Sequence, residues 1–271
     1  MKAIGFFALA VGLLFGSCMQ ASAAKILVSP GSIVFDDKIH AAQLIVANID
    51  DKTIIYRLQP TFFTMKEDGS LVEIAGEAPA NSALALVRFS PRQFELKPGE
   101  SQVVRIATRV PASLPKGEYR MHLRVVNLGE AMAAPVLLKP NTLDAQISIL
   151  VTRAVRILVR NGVAGGSASL GDISARRSKS GRVAISFDLH RAGDGSSRGE
   201  YAVFSQNHDT GAKTADLVDR GVLIYADLAM RRISEAVPGA ALKGASDICV
   251  AYRDQVAAQG GEKQCVAISA S

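Results

Sequence analysis

Residues 143–160 read LDAQISILVTRAVRILVR. The odd positions are Leu143, Ala145, Ile147, Ile149, Val151, Arg153, Val155, Ile157 and Val159, all apolar except Arg153. The even positions include Asp144, Gln146, Ser148, Thr152, Arg156 and Arg160. A strand sends successive side chains to opposite faces, whereas a helix needs about 3.6 residues to return to one face, so this alternation predicts a single long β-strand.

The segments around it carry the same signal. Residues 42–48 (AQLIVAN), 53–58 (TIIYRL), 103–110 (VVRIATRV) and 119–126 (YRMHLRVV) are β-rich, and turns such as Asp50-Asp51-Lys52, Lys97-Pro98-Gly99-Glu100 and Pro115-Lys116-Gly117 separate them. Downstream, residues 161–167 (NGVAGGS) are small and Gly-rich and read as a connection. Further strands are predicted at 183–189, 201–205, 221–225, 229–233, 248–252 and 265–268. Short β-rich runs punctuated by Gly and Pro indicate sandwiches or barrels. The expected fold class is therefore all-β with two sandwich domains, at 24–160 and 166–271, joined by a linker at 161–165. Ser90-Pro91, at a strand start, is a candidate cis bond.

The N-terminus reads as an export signal. Met1-Lys2 gives a positive start, residues 4–15 are apolar, and Ala21-Ser22-Ala23 fits a small-x-small cleavage site, so 1–23 is set apart as a signal peptide. A lipoprotein signal with Cys18 lipidated is the rival reading, with Phe15 standing where a small aliphatic residue is usual. The mature chain keeps Cys249 and Cys265. In an exported protein such a pair reads as a disulfide; a metal pair is the alternative, but no second Cys or His pair lies at ligand spacing. The formal charge of +6 over 271 residues is scattered, with no basic run or aromatic-basic platform, so no nucleic-acid partner is expected.

The sequence carries none of the common catalytic patterns. His40, His122, His190 and His208 sit in separate segments, and the sequence holds no Gly-x-Ser-x-Gly elbow, phosphate loop or dinucleotide fingerprint. Neither enzymatic activity nor a cofactor is expected. Residues 193–199 (GDGSSRG) fit either a polar hairpin loop or an anion-binding loop.

Four stretches of the first domain resemble the PapD-like periplasmic pilus-assembly chaperones, in a form closer to the less typical branches of that family. They are residues 29–35 (SPGSIVF), 42–48 ending in Asn48, 89–106 (FSPRQFELKPGESQVVRI) and 114–120 (LPKGEYR). The PGESQVVRI stretch is the most specific. The second domain resembles the family in length, strand content and late disulfide alone. The resemblance implies two immunoglobulin-like sandwiches in a boomerang arrangement with a cleft between them. The implied client is a pilus or surface-fibre subunit lacking its last strand, which the chaperone supplies by donor-strand complementation before delivery to an outer-membrane usher. It also implies a periplasmic location; free exposed edges invite aggregation, so self-association by edge pairing, or loop cover, is expected in the unliganded protein.

By that resemblance, Ile147, Ile149 and Val151 are the donor residues, whose burial would contribute roughly 5–9 kcal/mol gross. The residues alone equally describe an ordinary core strand of domain 1. Arg156 falls at the family's carboxylate anchor, where a guanidinium grips a client's C-terminus through two parallel hydrogen bonds. A solvated strand-end charge is the competing reading, and Arg153 is a weaker candidate anchor. The chain departs from the family at Ser32, which stands where a first-strand Arg is usual. Residues 127–141, with Met132, Val136, Leu137 and Leu138, form the expected loop before the donor strand. The alternative functions are a structural surface-fibre or coat protein and a secreted hydrolase. A fibre subunit would carry an N-terminal donor extension, and residues 24–28 are too short for one.

Overall fold

In residues 41–48, Leu44, Val46 and Asn48 point inward and are fully buried, while Ile45 between them is exposed. That period of two recurs along most strands of the protein and places one apolar face of each sheet on a core. The structure, a computed structural model, describes residues 26–128, 152–242, 244–255 and 261–270. The expected signal at 1–23, most of the loop at 127–141 and the donor residues Ile147, Ile149 and Val151 lie outside them.

The first half of the chain contains β1 (Ile26–Ser29), β2 (Ser32–Phe35), β3 (Ala41–Asn48), β4 (Ile54–Thr61), β5 (Phe63–Met65) and β6 (Leu71–Glu73). It continues with β7 (Val87–Ser90), β8 (Gln93–Leu96), β9 (Ser101–Thr108), β10 (Gly117–Asn127) and β11 (Thr152–Asn161). A four-stranded sheet, β1-β3-β9-β7, packs on a five-stranded sheet, β2-β11-β10-β4-β8, and β5 and β6 pair with each other. Phe35, Leu44, Tyr56, Ile106, Met121, Leu123 and Ile157, drawn from both sheets, share one core.

The chain changes sheet twice at a proline. Between β1 and β2 it passes Ser29-Pro30, and between β7 and β8 it passes Ser90-Pro91; both peptides are cis. Proline has no N–H to give a ladder, so it suits the point where a strand leaves one sheet for the other.

Buried side chains fix the turns. Asn48 donates from Nδ2 to the carbonyls of Leu96 (2.9 Å) and Lys52 (2.7 Å), and its backbone brackets the Pro98-Gly99-Glu100 turn. Gly99 takes φ 78°, a left-handed conformation open to glycine. The Tyr119 hydroxyl donates to the Pro115 carbonyl (2.9 Å), the corner arrangement of immunoglobulin-like sandwiches.

The second half contains β12 (Ser167–Arg177), β13 (Arg182–Ala192), β14 (Ser197–Gln206), β15 (Lys213–Ile224), β16 (Met230–Pro238), a short 3-10 turn at Gly239–Leu242, β17 (Asp247–Asp254), β18 (Glu262–Ala267) and β19 (Ser269–Ala270). Two four-stranded sheets, β16-β13-β12-β19 and β15-β14-β17-β18, enclose a separate core that includes Ile185, Phe187, Leu189, Val203, Ile248 and Val250. The all-β, two-sandwich architecture read from the sequence is thus the observed one. Cys249 and Cys265 face each other across β17 and β18 and form a disulfide. Beyond this pair the chain continues into β19, which pairs in parallel with β12.

Candidate binding cleft between the two sandwiches

β10 departs from the one-sided pattern. Its odd residues Tyr119, Met121, Leu123 and Val125 enter the first core, yet Glu118, Arg120 and His122 on the opposite face are buried as well. What covers them is the second sandwich.

Arg120 is 2% exposed and gives Asp227 two parallel hydrogen bonds, at 2.8 and 2.7 Å. Its Nε donates to the Phe63 carbonyl (3.2 Å), and its guanidinium lies over the rings of Phe62 (4.7 Å) and Tyr225 (4.2 Å). A buried charge is tolerable only when paired and hydrogen-bonded in this way. Glu118 accepts from Arg160 Nε (3.0 Å), from the Ser196 amide (3.1 Å) and from the Ser196 hydroxyl. Residues 193–196 carry the chain from β13 to β14 in the other sheet of the sandwich, so the 193–199 stretch is not a hairpin loop, and its Ser196 gives two hydrogen bonds to an anion of the chain itself, the carboxylate of Glu118.

Arg156 occupies the same face of the sheet. In the parallel β2–β11 ladder it stands opposite Ser32, and on its other side opposite His122 of β10. The row across the sheet is Ser32, Arg156, His122, Thr61. Of the arginines on this face of β10 and β11, Arg120, Arg160 and Arg124 each have a carboxylate partner, the last being Glu73 at 3.0 Å. Arg156 has none among the described residues, and its buried Nε has no protein partner. Against the larger, opposite effect of burial, its positive charge acts on the Tyr225 hydroxyl and favours the ionised form.

His122 is 2% exposed, with Nε2 2.7 Å from the Tyr225 hydroxyl and Nδ1 unpartnered by protein. Burial, then the charges of Arg120 and Arg156, push its pKa down to about 4, so the ring is neutral at ordinary pH. Burial raises the Tyr225 hydroxyl, so it keeps its proton.

Arg153 has the opposite parity. It is exposed and lines a groove of about 320 Å³ with Ile26, Leu27, Val28, Gly31, Ala154 and Val155. Within the described strand the odd residues Val155, Ile157 and Val159 fill the first core, as the core-strand reading expects.

A hairpin the sequence did not announce bridges the sandwiches. β5, β6 and the turn between them reach β16, where the Arg232 amide donates to the Glu67 carbonyl (2.7 Å). Gly69, at φ 82°, packs so closely that a Cβ there would sit 2.2 Å from the Arg231 guanidinium.

No protein-family model matches the chain, and no curated protein matches it. The solved structures it is similar to include chaperones, among them a class 5 fimbriae chaperone, CfaA. The YadV chaperone has 11% identity and a TM-score of 0.45, with 89% of this chain and 98% of that one covered. The CsuC–CsuE chaperone–tip adhesion subunit complex of Acinetobacter baumannii has 14% identity and a TM-score of 0.44, with 92% and 100% covered. The CupB2 chaperone of Pseudomonas aeruginosa has 11% identity and a TM-score of 0.44, with 90% and 100% covered.

Proposed function

We propose that this protein is a non-enzymatic periplasmic chaperone that holds pilus or surface-fibre subunits and passes them to an outer-membrane usher. In this reading residues 143–151 supply the missing strand of the client, with Ile147, Ile149 and Val151 in its groove, and Arg156 anchors the client's terminal carboxylate. The observation that supports it is the place of Arg156. It lies in the cleft between two sandwiches, on the strand whose upstream extension carries the apolar alternation, and has no carboxylate of its own among the described residues. A cation held this way is suited to an anion brought from outside the chain.

The test is co-expression of the mature protein in a periplasm with subunits encoded beside its gene, followed by co-purification. Wild type is expected to capture a subunit, and Ile149→Asp and Arg156→Ala are each expected to lose it while remaining folded. Capture indifferent to both substitutions, or no capture of any neighbour, sinks the reading. Loss with Ile149→Asp alone keeps the strand and moves the anchor.

A further inference from the structure

Cys249 and Cys265 are joined on the outside of the second sandwich rather than within it. On β17, Ile248, Val250 and Tyr252 enter the core, so Cys249 and Ala251 between them belong to the opposite face. β18 keeps the same parity. Val266 packs against the core, and Cys265, directly across the ladder from Cys249, turns away from it. The two ends of the bond are unequally covered. Cys249 is fully buried, with Phe204 of β14 opposite it on one side and Cys265 on the other. Cys265 lies on the outermost strand of its sheet and is exposed.

The surroundings of the bond are basic. Lys263, two residues before Cys265 on the same face of β18, has its ammonium 5.2 Å from the centre of the Phe204 ring, and Lys213 stands at the same distance. Lys213 is paired with Asp216, whereas Lys263 donates to the uncharged side chain of Gln206 (3.2 Å). Disulfide exchange begins when a thiolate attacks one sulfur, and its rate depends on access to that sulfur and on the charge around it. β18 is also fastened by more than the disulfide. Glu262 accepts from the Leu170 amide (2.6 Å), Gln264 donates to the Leu170 carbonyl (3.3 Å), and β19 beyond it pairs with β12. These contacts keep Cys265 opposite Cys249 once the bond is open.

We propose that Cys265 is a thiol-exchange site that works in the folded protein, with small thiols as its reactants. A thiolate attacks the Cys265 sulfur, the Cys249–Cys265 bond breaks, and its electron pair leaves on the Cys249 sulfur. The product is a mixed disulfide at Cys265. A second thiolate attacks the small-molecule sulfur of that adduct and releases Cys265 with the electron pair. The protein bond is reduced by two electrons, two thiols become one small disulfide, and their two protons end on the cysteine sulfurs. The small disulfide drives the same steps in reverse. The site is independent of Arg156 and of any client.

The test treats the mature protein with reduced glutathione or with 2-mercaptoethanol, traps free thiols with N-ethylmaleimide, and maps adducts by mass spectrometry. The rate is expected to rise in proportion to thiol concentration and to stay level in urea below the unfolding transition. The first adduct should sit on Cys265, the circular dichroism of the reduced protein should match that of the oxidised one, and oxidised glutathione should restore the bond. Lys263→Gln is expected to slow glutathione, a net anion, about threefold, the loss appropriate to one exposed charge a few ångströms away, and to slow 2-mercaptoethanol less. A rate that climbs with urea in step with global unfolding overturns the proposal, as does an adduct that forms first on Cys249. Equal slowing of both thiols by Lys263→Gln overturns the part assigned to charge.

Discussion

His122 is a neutral ring held between two arginines, which makes it a reporter of the cleft. Its folded pKa lies at about 4, against the usual 6.5. Between those values the unfolded chain binds the extra proton, so stability rises with pH across the window and is lost as pH falls from about 6.5 to about 4. The full shift corresponds to roughly 3 kcal/mol. Urea unfolding at pH 7 and pH 4.5 is expected to show a larger drop for wild type than for His122→Gln. His208, raised by its hydrogen bond to Asp247, acts in the opposite direction at the surface, and the difference between the two proteins isolates the buried ring. Equal pH slopes would refute the assignment. At this scale the sequence was partly legible. Arg156 and Ser32 were singled out, and they do stand side by side. Tyr225 and Asp227 were not, because nothing local in a sequence says which distant loop will meet a strand face.

At the scale of elements, the β5–β6 hairpin is the part most exposed to test. Gly69→Val adds a β-branched side chain at a left-handed φ and displaces Arg231, so the hairpin should lift from β16. The Arg232 amide, bonded to Glu67, is expected to lose hydrogen-exchange protection, while the core amide of Val203 keeps its own. Unchanged protection at Arg232 would show that the hairpin is not held there. This hairpin escaped the sequence reading because strands of three residues, Phe63–Met65 and Leu71–Glu73, are too short to display a period. β12 escaped for a different reason: SASLGDISARR is small and polar, and its register shifts between Leu170 and Ile173. The long strands β3, β9, β10, β13 and β17 were legible because one or both faces meet a core. On β10 the polar residues Glu118, Arg120 and His122 are buried as well. Both of its faces are covered, and only the tertiary arrangement reveals that.

For the whole molecule, the two cores share no residues, and much of what joins them is polar: Arg120 with Asp227, Glu118 with Ser196, and His122 with Tyr225. Removing one partner of a buried pair typically costs about 3–5 kcal/mol. Asp227 is 35% exposed, so water can reach Arg120 in its absence, and the lower end of that range applies. Asp227→Ala is expected to separate one unfolding transition into two, seen by calorimetry, with each sandwich close to its own midpoint. A single transition at the wild-type midpoint would show that the sandwiches are coupled by other means. The polar seam was not legible in the sequence, since its members come from far apart in the chain.

One topological detail bears on how the molecule is made. In each half an early strand pairs in parallel with the closing one, β2 with β11 and β12 with β19. Antiparallel neighbours can zip together as they emerge, but a parallel closure between chain ends must wait for its last strand. A chain delivered N-terminus first would therefore hold that early strand without this partner until nearly the whole half has arrived. Each sandwich would then lock at a single late moment, and a chain stalled partway would present an open edge rather than a finished half.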